Sequence, residues 1–352
     1  MRKSILSVAI LFATGLFTQS CKDNTLDPST TDSERYLSFK GEKVRIPEAF
    51  PEELFDQTQE QLEAYINSKV SRNAREASGA RLTYDELGEI LNRSLAKYPR
   101  VNYDSISHQD FKRILIDIPS IKSMEDALAK VEIIFDYYNT LAKNDVISDV
   151  VSLEKRKTGL KVSGPSPGSL TDPERNILLG NPAFAVAYVN AAGDANLFTS
   201  GMWSVDEDNK KNNAFKHSIW NCLIIRYIIT STPASKTNAI NFAQNGTSAH
   251  EMNDDGSHIH DAKAAMDLHN NQSARNWMDD EVRWGIGPLR KMPSVSKILD
   301  TWYARANSAT YYDQATNWTG ILVIHGGNNS TTWNNLYNNL YGGHQHNVYI
   351  EN

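Results

Sequence analysis

From Pro51 to about Val151, apolar side chains recur at three- and four-residue intervals: Leu54, Phe55, Leu62, Tyr65 and Ile66, then Leu87, Ile90, Leu91 and Leu95, then Ala127, Val131, Ile134, Phe135 and Tyr138. That period puts one apolar stripe on each of several amphipathic helices. Polar residues mark two of the helix starts. Thr83 with Glu86 three positions on makes a capping box, and Ser123 precedes Glu125 and Asp126 in a first turn. This half holds no cluster of catalytic residue types, and its lone His108 reads as a surface or capping residue. It is expected to be a helical scaffold over residues 46–155.

The character changes between Lys155 and Ser169. The basic trio Lys155-Arg156-Lys157 suits a solvated helix end, and Gly164-Pro165-Ser166-Pro167-Gly168 cannot continue a helix. This is the expected domain boundary. Beyond it, Asp172-Pro173 and Asn181-Pro182 each place a capping side chain before a proline in a first turn. The helix from Pro182 to about Ala192 is small and apolar, as close packing on several sides requires. Asn213 is expected to cap a third helix carrying His217 and Asn221, and Asp261 to start a fourth that runs to about Trp277. The run Ile321-Leu322-Val323-Ile324 before His325-Gly326-Gly327 reads as a short buried strand and turn. The expected fold is mainly α: a helical scaffold, then a helical domain over 170–352 with a short β or irregular tail.

Residues 1–20 have the form of an export signal, with Arg2 and Lys3 before a mostly apolar run from Ile5 to Phe17 that is short for a membrane span. Thr18-Gln19-Ser20-Cys21 resembles a bacterial lipoprotein cleavage box, in a relaxed form like that of Bacteroidota lipoproteins, and implies lipidation of Cys21. Lys22-Asp23 resembles the acidic tag that sends some such proteins to the outer face of the outer membrane. The expected location is therefore the outer membrane, periplasmic or cell-surface side, reached through the lipid on Cys21, with a flexible tether over 21–45 rich in Asp, Ser and Thr. Cys222 is then the one remaining cysteine and no internal disulfide can form. It lies in an apolar run and reads as a small buried hydrophobe. A net charge of -6 without a long basic stretch argues against a nucleic-acid partner.

The chemistry gathers in the second half. His217 and Asn221 are four apart and share a helix face. Asp267, Asn270, Asn271 and Ala274 share a face of the fourth helix, while His269 lies around the cylinder with Ala262, Ala265 and Met266. Between the two helices stands His250-Glu251. Imidazole and carboxylate together suit a divalent metal or general acid–base work, but two familiar motifs are excluded. A zinc-protease helix needs His where Asp254 stands, and a calcium loop beginning at Glu251 needs Glu where Ala262 stands. His258 and His260 are expected to face solvent.

Asn213-Ala214-Phe215-Lys216-His217, Trp220-Asn221, His250-Glu251 and Met266-Asp267-Leu268-His269-Asn270-Asn271 with Arg275 resemble an uncharacterised bacterial domain family over about residues 170–280. Its members include lipoproteins, other secreted proteins and toxin-like modules. Lys216 stands where the family pattern has Arg, and Ala274 where it has Gly. From their residue chemistry, His217, His250, Glu251, Asp267 and His269 are the candidate catalytic or metal-ligating groups, with Asn221, Asn270, Asn271 and Arg275 as candidate binding groups; the resemblance adds their fixed order. It names no reaction. Three readings stay open: a metal-dependent or His-based envelope hydrolase acting on a phosphoester, lipid or wall polymer; a non-catalytic lipoprotein whose polar cluster fixes helix packing or binds a ligand; and a peptide or glycan binder using the aromatic tail.

Overall fold

Residues 35–46, partly assigned above to the tether, form an antiparallel hairpin of β1 (Arg35–Phe39) and β2 (Glu42–Ile46). Its turn, Lys40-Gly41, has both φ angles positive, 49° and 84°, the backbone handedness that tight hairpins favour. Phe39, Val44 and Ile46 bury against the helices that follow. The period-two signal of these short strands is lost between polar neighbours. The computed structural model describes residues 35–55, 57–69, 81–158, 168–203, 210–284, 290–339 and 343–351. The leader, Cys21 and Lys22-Asp23 lie outside them, as do residues 159–167 of the expected boundary.

The scaffold helices form where the apolar spacing places them. After a 3-10 turn at Glu52–Phe55 come α1 (Gln59–Lys69) and α2 (Tyr84–Leu95), the latter with both arms of the Thr83–Glu86 capping box in place. A two-residue hairpin, β3 (Val101–Asn102) with β4 (Ser105–Ile106), leads to α3 (His108–Asp117), capped by Ser107 with His108 exposed at its first position. Ser123 caps α4 (Met124–Ala129), and Lys130 separates it from α5 (Val131–Thr158).

The second half holds α6 (Asp172–Gly180), α7 (Pro182–Trp203), α8 (Lys211–Ser231), α9 (Lys236–His250), α10 (Ala262–Glu281), the pair β5 (Arg283–Trp284) and β6 (Arg290–Lys291), α11 (Val295–Asn307), β7 (Thr310–Asp313), α12 (Gly320–Ile324), α13 (Ser330–Asn338) and β8 (Val348–Glu351). The fold is mainly α, and no described helix is long and apolar enough to cross a membrane. One hydrophobic core runs from Phe39 to Ala306 and draws on both sides of the expected boundary. A buried ion pair, Arg175 Nη1 to Glu154 Oε1 at 2.9 Å, joins α6 to the end of α5.

Four local expectations change. Thr171, not Asp172, caps α6, with Glu174 closing the box. α8 begins at Lys211, so Asn213 sits inside its first turn, and its side-chain amide donates to Asp267 Oδ1 at 3.1 Å instead of capping. Ile321–Ile324 is helical; a four-residue apolar run has no period that separates helix from strand, and Gly326 and Gly327, with φ of 112° and 103°, end the turn that follows it. His258 is half-buried, stacked on Tyr337 with centroids 3.9 Å apart, whereas His260 is exposed as expected, with its ring 4.6 Å from that of Trp333.

Two features position the site. Along α7 the buried Ala185, Ala187, Ala191, Ala192 and Ala195 let α8 pack alongside. On α9, Gly246 faces buried Tyr188 so closely that a Cβ would lie 2.6 Å from Cε2 of the ring. Meanwhile α10 is buried at every position from Ala264 to Met278. It has α8 and α9 on one side and α12, α13 and β8 on the other. A second apolar cluster joins Ala262, Ala265, Met266 and Leu268 of α10 to Ile321, Leu322, Trp333, Leu336, Tyr337, Val348 and Ile350. The tail thus buries Trp333 and Tyr337, which removes the main support for an aromatic binding groove there.

Candidate metal centre

His217, Glu251 and Asp267 converge. Each offers one nitrogen or carboxylate oxygen within 4.8 Å of the others, and among the described residues no other set of three His, Cys, Asp or Glu side chains does so. His217 comes from the second turn of α8, Glu251 from the residue after α9, and Asp267 from the middle of the second turn of α10. His217 Nε2 lies 3.3 Å from Asp267 Oδ1, and its Nδ1 lies 3.9 Å from Glu251 Oε1. These groups and His250 line a cavity of about 350 Å³ with Tyr84, Asn196, Lys216, Trp220, Ile259, Asp261 and Lys263.

Hydrogen bonding fixes the imidazole. Nδ1 of His217 is 3.3 Å from Asn271 Oδ1, an acceptor, so Nδ1 carries the proton and Nε2 presents its lone pair to Asp267. Burial first, then the charges of His250 and Lys216, hold the His217 pKa well below its ordinary value, which keeps the ring neutral. Burial and the charge of Glu251 push the Asp267 carboxyl well above its ordinary range. Burial raises Glu251 to about 7, against the opposing pull of His250 and Lys263. Asp267 Oδ2 and Glu251 Oε1 are buried with no hydrogen-bond partner among the described residues. A lone pair facing a carboxylate, beside two orphaned carboxylate oxygens, is a costly arrangement unless a proton or a cation lies between them.

His250 has a different setting. Its Nδ1 is 3.2 Å from Glu174 Oε2, and Glu174 Oε1 accepts from the hydroxyls of Tyr84 and Tyr188 at 2.5 and 2.7 Å. Burial opposes the His250 charge, but Glu174, then Glu251 and Asp267, overcome it and hold the pKa up to about 9. The ring is cationic at neutral pH and oriented through Nδ1. Glu174, Tyr84 and Tyr188 were not among the site residues expected from sequence. The Thr171 capping box places Glu174 at the start of α6, but nothing local in the sequence shows that its carboxylate also reaches a histidine 76 residues away.

The remaining candidates go elsewhere. Asn221, Asn271 and Arg275 form a fully buried layer behind His217: Asn221 Nδ2 donates to Asn271 Oδ1 at 2.7 Å, and Arg275 Nη1 donates to Asn221 Oδ1 at 3.0 Å and to Thr247 Oγ1 at 3.2 Å. Asn270 does not share their partners; its amide accepts from Val348 N and donates to Val348 O, each at 3.0 Å. His269 also turns to the tail, where its Nδ1 is 2.8 Å from His325 Nε2. Burial and neighbouring imidazoles hold it well below the ordinary histidine pKa. Cys222 is wholly buried and free, and burial pushes its thiol up.

Residues 175–285 match a family model described as a domain of unknown function (DUF6973). The match contains His217, His250, Glu251 and Asp267, and stops before the tail. No curated protein and no solved structure matches the chain.

Proposed function

We propose that this protein is a hydrolase that uses a divalent metal held by His217, Glu251 and Asp267 and acts on an anionic ester, a phosphoester above all, as an exported protein anchored by lipid at Cys21. The observation that carries the reading is the pair of orphaned, buried carboxylate oxygens on either side of a neutral, correctly oriented imidazole. A hydrogen bond from the non-ligating ring nitrogen to an amide oxygen is the usual support of a metal-bound histidine. A bound divalent ion would supply Lewis-acid polarisation of the ester oxygen and an activated water.

The residues around it suit such a substrate. Lys216 and Lys263 line the same cavity, and with His250 they favour an anion over a neutral polymer. His250, protonated and aimed by Glu174, is the general acid that gives a proton to the leaving group. The alternative, a non-catalytic lipoprotein with a structural polar network, draws its support from the sealed Asn221–Asn271–Arg275 layer, which reaches no part of the cavity wall.

The test is metal content with activity. Purified protein should retain close to one equivalent of metal at this centre and cleave bis(p-nitrophenyl) phosphate. His250→Gln should keep the metal and lower turnover by about 10²–10⁴-fold. A protein with no metal at this centre, and with behaviour unchanged by chelator, would sink the metal reading. Metal without cleavage of phosphate esters would sink the substrate class.

A further inference from the structure

Four imidazoles meet on the far side of α10, away from the cavity. His269 comes from α10, His325 from the residue after α12, and His344 and His346 from the irregular segment before β8. Five ring-to-ring distances describe the group: 5.1, 6.0 and 4.8 Å from His269 to His325, His344 and His346, then 5.2 Å between His325 and His344 and 5.7 Å between His344 and His346. Three of the four residues lie outside the matched family segment.

We propose that these four histidines form a second metal site, for a borderline divalent transition ion of the zinc class, that clamps the C-terminal tail to α10. With metal–nitrogen bonds near 2.0–2.1 Å, ring centroids lie about 3.2 Å from the ion and about 5.2 Å from each other in a tetrahedral site. The observed centroid spacings bracket that value, while no three of the rings bring nitrogens within 4.8 Å of one another as they stand, so the rings must turn to close on an ion. Four imidazoles are a donor set for zinc, nickel or copper in preference to magnesium or calcium.

The ligand-bearing backbone is held in place by α10 itself. Asn276 Nδ2 donates to His344 O at 2.7 Å, His269 Nε2 to His346 O at 3.1 Å, and Asn270 pairs with Val348. The bond from His269 Nε2 to a carbonyl leaves Nδ1 as the ligating atom, the arrangement that supports metal-bound histidines. His269 is buried, while His325, His344 and His346 are half-buried, so an ion has a way in. Loading the site requires His269 Nδ1 and His325 Nε2 to part from 2.8 Å to about 3.3 Å. It also requires the half-buried rings to turn about their broad final torsion.

The experiment uses chelator-stripped protein carrying Asp267→Asn and Glu251→Gln, which silences the centre at His217. It is titrated with Zn(II), and with Co(II) for its visible bands. One equivalent should bind, Co(II) should give the intense bands of four-coordinate nitrogen ligation, and Zn(II) should raise the melting temperature. Adding His325→Asn, His344→Asn and His346→Asn should abolish all three effects, and His344→Asn alone should weaken binding by about tenfold or more. If the silenced background folds poorly, the otherwise wild-type chain should drop from two equivalents to one with the triple substitution. No bound equivalent in the silenced protein, or binding unaltered by the triple substitution, would overturn the site.

Discussion

Asp267 and Asn270 are three residues apart on one buried helix, and they solve the problem of a buried polar group in opposite ways. Asn270 satisfies its amide twice on the backbone of Val348, each bond 3.0 Å, and ties β8 to α10. Asp267 keeps one oxygen on Asn213 and leaves Oδ2 with no partner among the described residues, at the wall of the cavity. A satisfied buried group contributes to the fold, and an unsatisfied one marks a place where the fold is held ready for something else. Asp267 and Asn270 therefore differ in what their polar groups do.

Exchanging stability and function between these two residues is the strongest attack on that contrast. Asn270→Ala orphans two buried backbone groups at about 1–3 kcal/mol each, so chemical denaturation should show a loss of about 3 kcal/mol while metal content at the His217 centre is kept. Asp267→Asn should do the reverse, losing the metal and the ester cleavage while the chelator-treated protein is at least as stable as wild type. If both variants lose only stability, the cavity side is structural too and the contrast fails.

A smaller effect is expected where backbone packing sets the cavity. Gly246→Ala drives a methyl group into buried Tyr188, an overpacking that costs about 1–3 kcal/mol. Because Tyr188 donates to Glu174, which aims His250, turnover should fall with the metal still bound, and the alkaline limb of its pH profile should move. A stability loss that leaves the pH profile unaltered would show that His250 is positioned independently of α9 packing.

Much of the fold was legible because apolar spacing and caps are local properties. Thr83, Ser123 and Asp261 each accept the backbone bond that their position predicts. Helix arithmetic also separated His269 from Asp267, as the tail-facing and cavity-facing partners show. What it could not supply was rotation between helices. Asn270 falls within the arc drawn for Asp267, yet β8 docks close enough along α10 to take its amide. The Ile321–Ile324 helix was illegible for lack of length, and the β1–β2 hairpin for lack of contrast with its polar flanks. The convergence on His250 was hidden because Tyr84 and His250 lie 90 and 76 residues from Glu174 in sequence.

The least expected change in stability, and the one that separates proton from metal at the cavity side, concerns Glu251. Its folded pKa of about 7 stands above its ordinary value of 4.5, mainly through burial. Between those values the native, metal-free protein holds a proton that the unfolded chain releases, so stability falls as pH rises through this window and the full penalty persists above 7. Glu251→Gln removes the titration. Without metal the variant should match wild type near pH 4 and exceed it at pH 8, by about 1 kcal/mol once water in the cavity screens the charge. With saturating metal the order at pH 8 should reverse, because the carboxylate then has a cation to bind and the amide does not replace it. Thermal melts at both pH values, with and without chelator, read both arms. An order at pH 8 that ignores metal would mean that Glu251 faces a proton there and not an ion.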